Sequence, residues 1–267
     1  RIKKASFFLR LYIFIVVPLK YLVNIFYFEK KVDLDLYKNN FPDLPNKDLN
    51  TLFEHLNSDK GEYFINQYLQ PAKKNKEKIK AHGYAKIYET VFVNFKEKNI
   101  NILELGSFYG NAAAALYFYF DKANIFSADI NPDMFKYKSN RIKNFYVDSS
   151  SRNSLKNDLI SKNNNFDIII EDASHMLKDQ IISLFMLFPL VNSGGYFIVE
   201  ELDFPETRED MRIDQTKPDL KQILQNILKN KDFNSIYIND DEKKYFLENF
   251  LSIEIKKGNF NEIAIIK

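Results

Sequence analysis

The sequence of 267 residues contains no cysteine, only three histidines and only seven glycines. Without cysteine, the chain can form no disulfide framework, zinc–thiolate site or iron–sulfur cluster, and it has no thiol nucleophile. The three histidines, His55, His82 and His175, are too few for a typical multi-histidine metal centre. Any metal site in this protein must therefore consist mainly of oxygen ligands.

Net positive charge is confined to the N-terminus. Residues 1–31 carry seven Lys or Arg and one acid, whereas the remaining residues carry 31 basic and 35 acidic side chains. Because this larger part is slightly acidic, we expect no nucleic-acid partner. A hydrophobic content of 45% with 28% charged residues is typical of a globular protein and excludes a disordered chain, a collagen-like chain and a polytopic membrane protein.

Residues 7–28 are apolar, aromatic and basic, but they lack a long uninterrupted hydrophobic run. The residues that interrupt the segment are Arg10, Pro18, Lys20 and Asn24. The residues that form one narrow polar stripe on a helical wheel are Lys3, Ser6, Arg10, Lys20 and Asn24. A spanning helix needs about 20 mostly apolar residues. We therefore predict a helix that lies at a membrane interface or packs on the domain.

The N-terminal sequence also indicates where in the cell the protein is located. No small-residue cleavage site follows the apolar run, so we do not expect a cleaved signal peptide. Because the chain begins with Arg1 rather than methionine, we expect residues upstream of it. The predicted location is the cytoplasm, at the inner face of the membrane if residues 7–28 make peripheral contact with lipid.

Composition divides the chain into three regions: the basic segment 1–31, a helical N-terminal or lid region 32–95, and a main domain 96–267. The lysine-dense stretch 71–86 is predicted to be a solvated helix face or linker, with a mobile lid as the alternative.

The main domain alternates short apolar runs with helical patterns. The predicted strands are 101–106, 124–130, 144–150, 166–173 and 195–202, followed by a β-hairpin over 251–267. The predicted helices are 111–120, 154–160, 176–190 and 218–230. Nearly continuous apolar strands that alternate with helices predict an α/β fold, with a mostly parallel sheet covered on both faces.

Polar residues and glycines follow the first three strands, where ligands bind in such sheets. Gly106 allows a tight turn and Gly110 lets a helix start close to a ligand. Phe108 occupies the position where the dinucleotide pattern G-x-G-x-x-G requires glycine. Asp129 lies 23 residues after Gly106, and an acid there can accept both hydroxyls of a ribose. Asp148 follows the third strand; each acid alone could equally be a helix cap or a surface group.

Together, the motifs ILELGSFYG, ADI and VDSS resemble those of class I S-adenosylmethionine (SAM)-dependent methyltransferases, over about residues 82–267. The resemblance implies a Rossmann-like sheet that binds SAM. The cofactor residues that it implies are Glu104, Gly106 and Gly110 at the methionine side, Asp129 at the ribose, and Asp148 and Ser149 at the adenine.

The fourth and fifth strands run into the motifs IEDASH and IVEEL, which contain Asp172, His175, Glu200 and Glu201. Three carboxylates at neighbouring strand ends repel one another unless protons or a cation neutralise them, and a hard divalent ion suits oxygen ligands. Consecutive strand side chains point to opposite faces. Glu200 and Glu201 can therefore share one ion only if the strand breaks at its tip.

This arrangement resembles the metal-dependent sugar O-methyltransferases that tailor macrolide antibiotics. The resemblance implies that Asp172, Glu200 and Glu201 bind Mg²⁺ or Mn²⁺ and that His175 is the catalytic base. The chain has Glu-Glu where many relatives have Glu-Asp, and Ala173 where many have glycine. The segment with His82, Tyr84 and Tyr88-Glu89 resembles one that closes the cofactor or substrate site, which makes Tyr84 a candidate cofactor residue; ordinary helix packing is the alternative.

The predicted activity is transfer of the SAM methyl group to a metal-polarised hydroxyl, with a sugar in a glycan or glycosylated metabolite as the acceptor. One alternative is an NAD-dependent oxidoreductase on a similar sheet, which the missing glycine pattern disfavours. Another is a membrane-associated, non-catalytic methyltransferase-like scaffold, which the intact polar residues disfavour. The sequence leaves open the acceptor and whether the chain forms a homo-oligomer.

Overall fold

The computed structural model describes residues 7–16, 18–19, 22, 30–66 and 77–267. The chain separates into two compact units, residues 1–32 and residues 33–267. In the first unit, the α-helix Phe7–Leu11 is followed by the π-helical turn Tyr12–Val16. Among the described residues, no helix is both long enough and apolar enough to cross a membrane. The residues of the predicted polar stripe that lie outside the described residues are Lys3, Ser6, Lys20 and Asn24.

The second unit is built on a seven-stranded sheet. Its strands, numbered along the chain, are β1 (Asn101–Leu105), β2 (Asn124–Asp129), β3 (Ile142–Tyr146), β4 (Phe166–Glu171), β5 (Val191–Val199), β6 (Ile253–Lys257) and β7 (Glu262–Ile266). Their spatial order is β6-β7-β5-β4-β1-β2-β3. The first five strands pair in parallel, and β7 pairs antiparallel with both β5 and β6. The predicted parallel sheet with a closing hairpin is confirmed.

Helices cover both faces of this sheet. Those of seven or more residues are α1 (Leu34–Asn40), α2 (Leu49–His55), α3 (Ala85–Phe92), α4 (Asn111–Tyr119), α5 (Leu177–Leu187), α6 (Leu220–Asn230) and α7 (Asp240–Asn249). The shorter helices are Leu44–Asn46, Val93–Phe95, Pro132–Met134, Arg152–Ser154, Leu155–Leu159, Ile160–Lys162, Phe188–Leu190, Phe204–Thr207 and Glu209–Arg212. Four further short strands lie outside this sheet: Val32–Asp33, Tyr63–Ile65, Lys78–Lys80 and Tyr137–Lys138.

Several predicted boundaries were wrong. The third strand ends at Tyr146 instead of residue 150, and the fifth begins at Val191 instead of residue 195. The predicted helix over 154–160 consists of three successive turns of different helix types. In the lysine-dense stretch, residues 71–76 lie outside the described residues, and Lys78–Lys80 is an exposed strand instead of a helix.

Helices α1, α2 and α3 share a core with one face of the sheet. Buried side chains of α1 to α3, such as Phe53 and Phe92, belong to the same cluster as Ile102 and Ile125 of the strands. Helices α5 and α6 cover the other face. This packing fixes the loop before Tyr63–Ile65 and the start of α3 beside the carboxyl ends of the strands. The division of the chain predicted at residues 95 and 96 stays a prediction.

Candidate active site

The carboxyl ends of the parallel strands open onto two adjoining cavities. The larger, of about 570 Å³, is lined by residues that follow β1, β2, β4 and β5, together with residues 58–60 and His82. The smaller, of about 220 Å³, is lined by residues at the ends of β1 to β3. Both cavities have Gly106, Asp129 and Ala173 in their walls. The predicted residues after the strands therefore meet in one site with two compartments.

Two glycines shape the turn after β1. Gly106 has φ +85°, and a Cβ there would lie 2.0 Å from the carbonyl oxygen of Asp172. Gly110, at φ +79°, would place a Cβ 2.3 Å from the ring of Phe135. Because glycine alone avoids both the strained conformation and these clashes, the turn after β1 can pass directly against the turn after β4. This close approach joins the two compartments.

The carboxylates of Asp129 and Asp148 are held by neighbouring donors. Asp129 accepts hydrogen bonds from the backbone N–H of Phe108 at 2.8 Å and of Asn131 at 2.7 Å. Asp148 accepts from the backbone N–H and the hydroxyl of Ser150, at 3.0 and 2.6 Å, and lines the smaller cavity with Ser149. A carboxylate has about four acceptor sites, so Asp129 keeps capacity for two further donors. We call this part of the site, at the ends of β1 to β3, the cofactor region.

Glu104 lies in the wall of the larger cavity with its side chain buried. Its Oε2 atom has no hydrogen-bond partner. Burial raises the pKa of this carboxyl to about 7, although the charge of Lys60 works in the opposite direction. A buried acceptor without a partner is costly, and a cationic group in the cavity would satisfy it.

The end of β5 shows the break that a shared ion requires. The strand ends at Val199, and Glu201 adopts φ +45°, which reverses the alternation of side chains. Glu200 and Glu201 consequently both line the larger cavity. The side-chain amide of Gln180 donates to the carbonyl oxygens of both glutamates at 3.2 Å and so stabilises the break.

Ligand atoms of Asp172, His175 and Glu201 lie within 4.8 Å of one another. Nε2 of His175 is 3.8 Å from Oδ1 of Asp172, and its Nδ1 is 3.7 Å from Oε2 of Glu201. Both Nδ1 and this Oε2 are buried without a hydrogen-bond partner. Two buried polar atoms without a hydrogen-bond partner that face each other beside a further carboxylate leave room for a divalent cation held by the carboxylate oxygens. We call Asp172, His175, Glu200 and Glu201 the acidic region.

Sequence reasoning missed a central residue of the acidic region, Lys60. Its ammonium group donates hydrogen bonds to Oδ2 of Asp172 and, at 2.7 Å, to Oε1 of Glu200. The hydroxyl of Tyr88 donates to the same oxygen of Glu200. Thus Glu200 lies against Lys60 and Tyr88, while Glu201 lies against the histidines. Nothing in the local sequence distinguishes Lys60 from the other lysines of the chain.

Burial and mutual repulsion dominate the electrostatics of the acidic region. Burial, followed by the charge of Asp172, raises the pKa of Glu200 to about 8 and that of Glu201 well above its usual value. Burial of Asp172 acts in the same direction, but Lys60 and His175 hold the pKa of this carboxyl below its usual value. Burial lowers the pKa of His175 and so favours its neutral imidazole form, which can accept a proton.

The segment before α3 contributes His82 rather than Tyr84 to the cavity wall. Nδ1 of His82 lies 3.1 Å from Oε1 of Glu201. Tyr84 is completely buried and stacks on the His82 ring with centroids 5.4 Å apart, and it is in the wall of neither cavity. The role of Tyr84 as a cofactor residue stays a prediction.

No protein-family profile matches the chain. A stretch of 128 residues, 45% of the chain, is 30% identical to the 8-demethyl-8-alpha-L-rhamnosyl tetracenomycin-C 2'-O-methyltransferase of Streptomyces olivaceus. The demethylmacrocin O-methyltransferase of Streptomyces fradiae is 26% identical over the same length. The matched stretch spans about a third of these relatives, 33% and 32% of their lengths.

Among solved structures, the chain is similar to the MycE methyltransferase from the mycinamycin biosynthetic pathway in complex with Mg and SAH. The TM-score is 0.59 at 18% identity, over 83% of this chain and 54% of that one. A complex of the same methyltransferase that also contains mycinamycin VI gives a TM-score of 0.61 at 18% identity, over 83% of this chain and 53% of that one. These comparisons confirm the class I methyltransferase fold and the resemblance to sugar O-methyltransferases.

Proposed function

We propose that this protein is a SAM-dependent O-methyltransferase that requires a divalent cation and acts on a sugar hydroxyl of a glycosylated small molecule. The observation that carries the proposal is the position of His175, 3.8 Å from Asp172 and 3.7 Å from Glu201, in a cavity that adjoins the cofactor region. The relative that is named as a 2'-O-methyltransferase of a rhamnosyl compound supports the choice of acceptor.

In this proposal, the smaller cavity binds the adenine between Asp148 and Ser149, and Asp129 accepts the hydroxyls of the ribose. Glu104, with its unpartnered buried oxygen, accepts the ammonium group of the methionine part. The cofactor supplies a methyl group that its sulfonium already activates, so the protein mainly positions the acceptor for in-line attack.

On the acceptor side, Asp172, Glu200 and Glu201 would hold Mg²⁺ or Mn²⁺. Such an ion lowers the pKa of a hydroxyl that it contacts. His175 removes the hydroxyl proton, and the oxygen forms a bond to the methyl carbon. The bond between carbon and sulfur breaks, and its electron pair stays on the sulfur. The orphaned Nδ1 of His175 and Oε2 of Glu201 support this assignment.

A methyl-transfer assay with labelled SAM tests the proposal on a panel of glycosylated acceptors, with Mg²⁺ or with excess EDTA. We expect transfer with Mg²⁺, none with EDTA, and SAM binding in both. Full activity in EDTA would contradict metal dependence and leave only the generic methyltransferase assignment. Binding of NAD but not SAM would favour the oxidoreductase, and SAM binding without transfer to any acceptor would favour the scaffold.

We also propose that residues 7–28 make peripheral contact with an anionic membrane surface, which would place the enzyme at the cytoplasmic face. The support is the strong positive charge of residues 1–31 and the exposure of Phe7, Phe8 and Phe14, at 72%, 79% and 68%. The full chain should bind vesicles that contain phosphatidylglycerol, and added salt should weaken this binding. Equal binding by the F7S/F8S/F14S variant would contradict the proposal.

A further inference from the structure

Lys60 is a buried cation inside the acidic region. Its side chain is only 3% exposed, and its ammonium group contacts Asp172 and Glu200, two of the three carboxylates that the proposed function assigns to a metal ion. A buried ammonium is costly unless it is paired and hydrogen-bonded. These two carboxylates therefore serve as the counter-ions of Lys60.

Asp172 contacts Lys60 and is also one of the proposed metal ligands. Its Oδ2 accepts from Lys60, while its Oδ1 faces Nε2 of His175 at 3.8 Å. A divalent ion held by Asp172, Glu200 and Glu201 would lie within a few ångströms of the ammonium group, which contacts two of these carboxylates. Two cations at such a distance repel each other strongly in a buried site. It is therefore unfavourable for the metal ion and the Lys60 ammonium group to contact these carboxylates at the same time.

The main chain at Lys60 is anchored, so any exchange involves the side chain. The carbonyl oxygen of Lys60 accepts from the N–H groups of Tyr84 and Ala85 at 2.9 and 3.2 Å, and that of Gly61 accepts from Gly83 at 2.8 Å. The lysine side chain, by contrast, is a flexible chain of four carbons. Its head group can move away from Asp172 while the loop stays in place.

We propose that Lys60 is a built-in counter-cation, which neutralises Asp172 and Glu200 when no metal is bound and competes with the divalent ion for them. This inference rests on the proposed metal site. It implies that the acidic region stays ordered without metal and that its affinity for metal is lower than its carboxylates alone would provide. Lys60 thus acts on the metal through the carboxylates and is a positioning residue.

Mn²⁺ binding, followed by the electron paramagnetic resonance signal of free Mn²⁺ in the absence of SAM and acceptor, tests the inference. K60M should bind Mn²⁺ about tenfold or more tightly than the wild type, because one nearby positive charge is removed. K60Q, which keeps a polar head group but no charge, should shift affinity in the same direction. Equal or weaker binding by both variants would overturn the inference.

Lys221 provides a matched control, because its ammonium group also bridges two carboxylates, Glu206 at 2.7 Å and Glu262 at 2.8 Å, away from the site. K221M should leave Mn²⁺ affinity unchanged. D172N separates the two hypotheses. Wild-type Mn²⁺ affinity in D172N would contradict the proposed metal site. Lost binding in D172N without tighter binding in K60M would contradict the role of Lys60 alone.

Thermal unfolding gives a second test that is independent of the Mn²⁺ binding measurement. Without metal, K60M should melt at a lower temperature than the wild type, since two buried carboxylates lose their partner. Mn²⁺ should raise the melting temperature of K60M more than that of the wild type. An equal or smaller increase in K60M would also overturn the inference.

Discussion

The cofactor region and the acidic region adjoin each other in one site, but different forces hold their carboxylates. Backbone N–H groups fix Asp129 in the cofactor region. In the acidic region, Asp172 and Glu200 are balanced by Lys60, which lies 112 and 140 residues away in the chain. Charge balance through side chains responds to protons and cations, whereas backbone donors do not. The two regions should therefore fail in different ways when they are perturbed.

The largest effect should come from Asp172→Asn in the acidic region. Asp172 is a proposed metal ligand and also accepts a hydrogen bond from Lys60. Loss of its carboxylate should lower the rate of methyl transfer by about 10³-fold or more, because a bound metal ion stabilises the transition state by several kcal/mol. SAM affinity by calorimetry should stay near the wild-type value. D167N is the matched control, because Asp167 lies near the start of β4, the strand that Asp172 follows, and accepts hydrogen bonds from Asn101 and Asn192. A large loss of SAM affinity in D172N would break the distinction between the regions.

His175→Ala should reduce the turnover rate by about 10²–10⁴-fold, the usual contribution of a general base. Mn²⁺ and SAM should still bind, because the carboxylates and the cofactor region are intact. H55A is the control, since His55 bonds to the hydroxyl of Tyr37 and does not line the cavity. If H175A loses Mn²⁺ binding as well, His175 is a ligand rather than a base.

In the cofactor region, Asp129→Ala should weaken SAM binding by about 1.5–3 kcal/mol, the range for hydrogen bonds to charged groups. The turnover rate at saturating SAM should change far less, because the acidic region is untouched. D133A, at an exposed aspartate nearby, should bind SAM like the wild type. Unchanged SAM affinity in D129A would contradict the assignment of Asp129 to the ribose.

The smallest effect concerns Glu104, which borders both regions. Because its pKa is raised to about 7, the carboxyl is mostly protonated below pH 7 and cannot pair with a cation as a carboxylate. SAM affinity should therefore rise as the pH increases from 6 to 7, by at most about tenfold per pH unit, and level off above 8. E104Q should bind SAM more weakly and without this dependence. A wild-type profile that is flat between pH 6 and 8 would contradict the role of Glu104.

Local patterns in the sequence were sufficient to predict the parallel sheet and the positions of its functional strand ends. Apolar runs that end in ELG, AD and EDA are typical of buried strands followed by polar turns, and the structure has strands at these places. By contrast, α7 was missed because Phe246 is its only buried residue, which leaves almost no hydrophobic periodicity. Its capping box of Asn239 and Glu242 was the available signal.

The construction of the acidic region depends on contacts between distant parts of the chain. The break that turns Glu201 toward the cavity depends on Gln180 from α5, and the counter-charge depends on Lys60 from a loop more than a hundred residues away. Strand and helix patterns reflect local periodicity and burial, which neighbouring residues encode. The pairing of one particular lysine with two particular carboxylates depends on which loops the packed core brings together, and no local pattern in the chain encodes that.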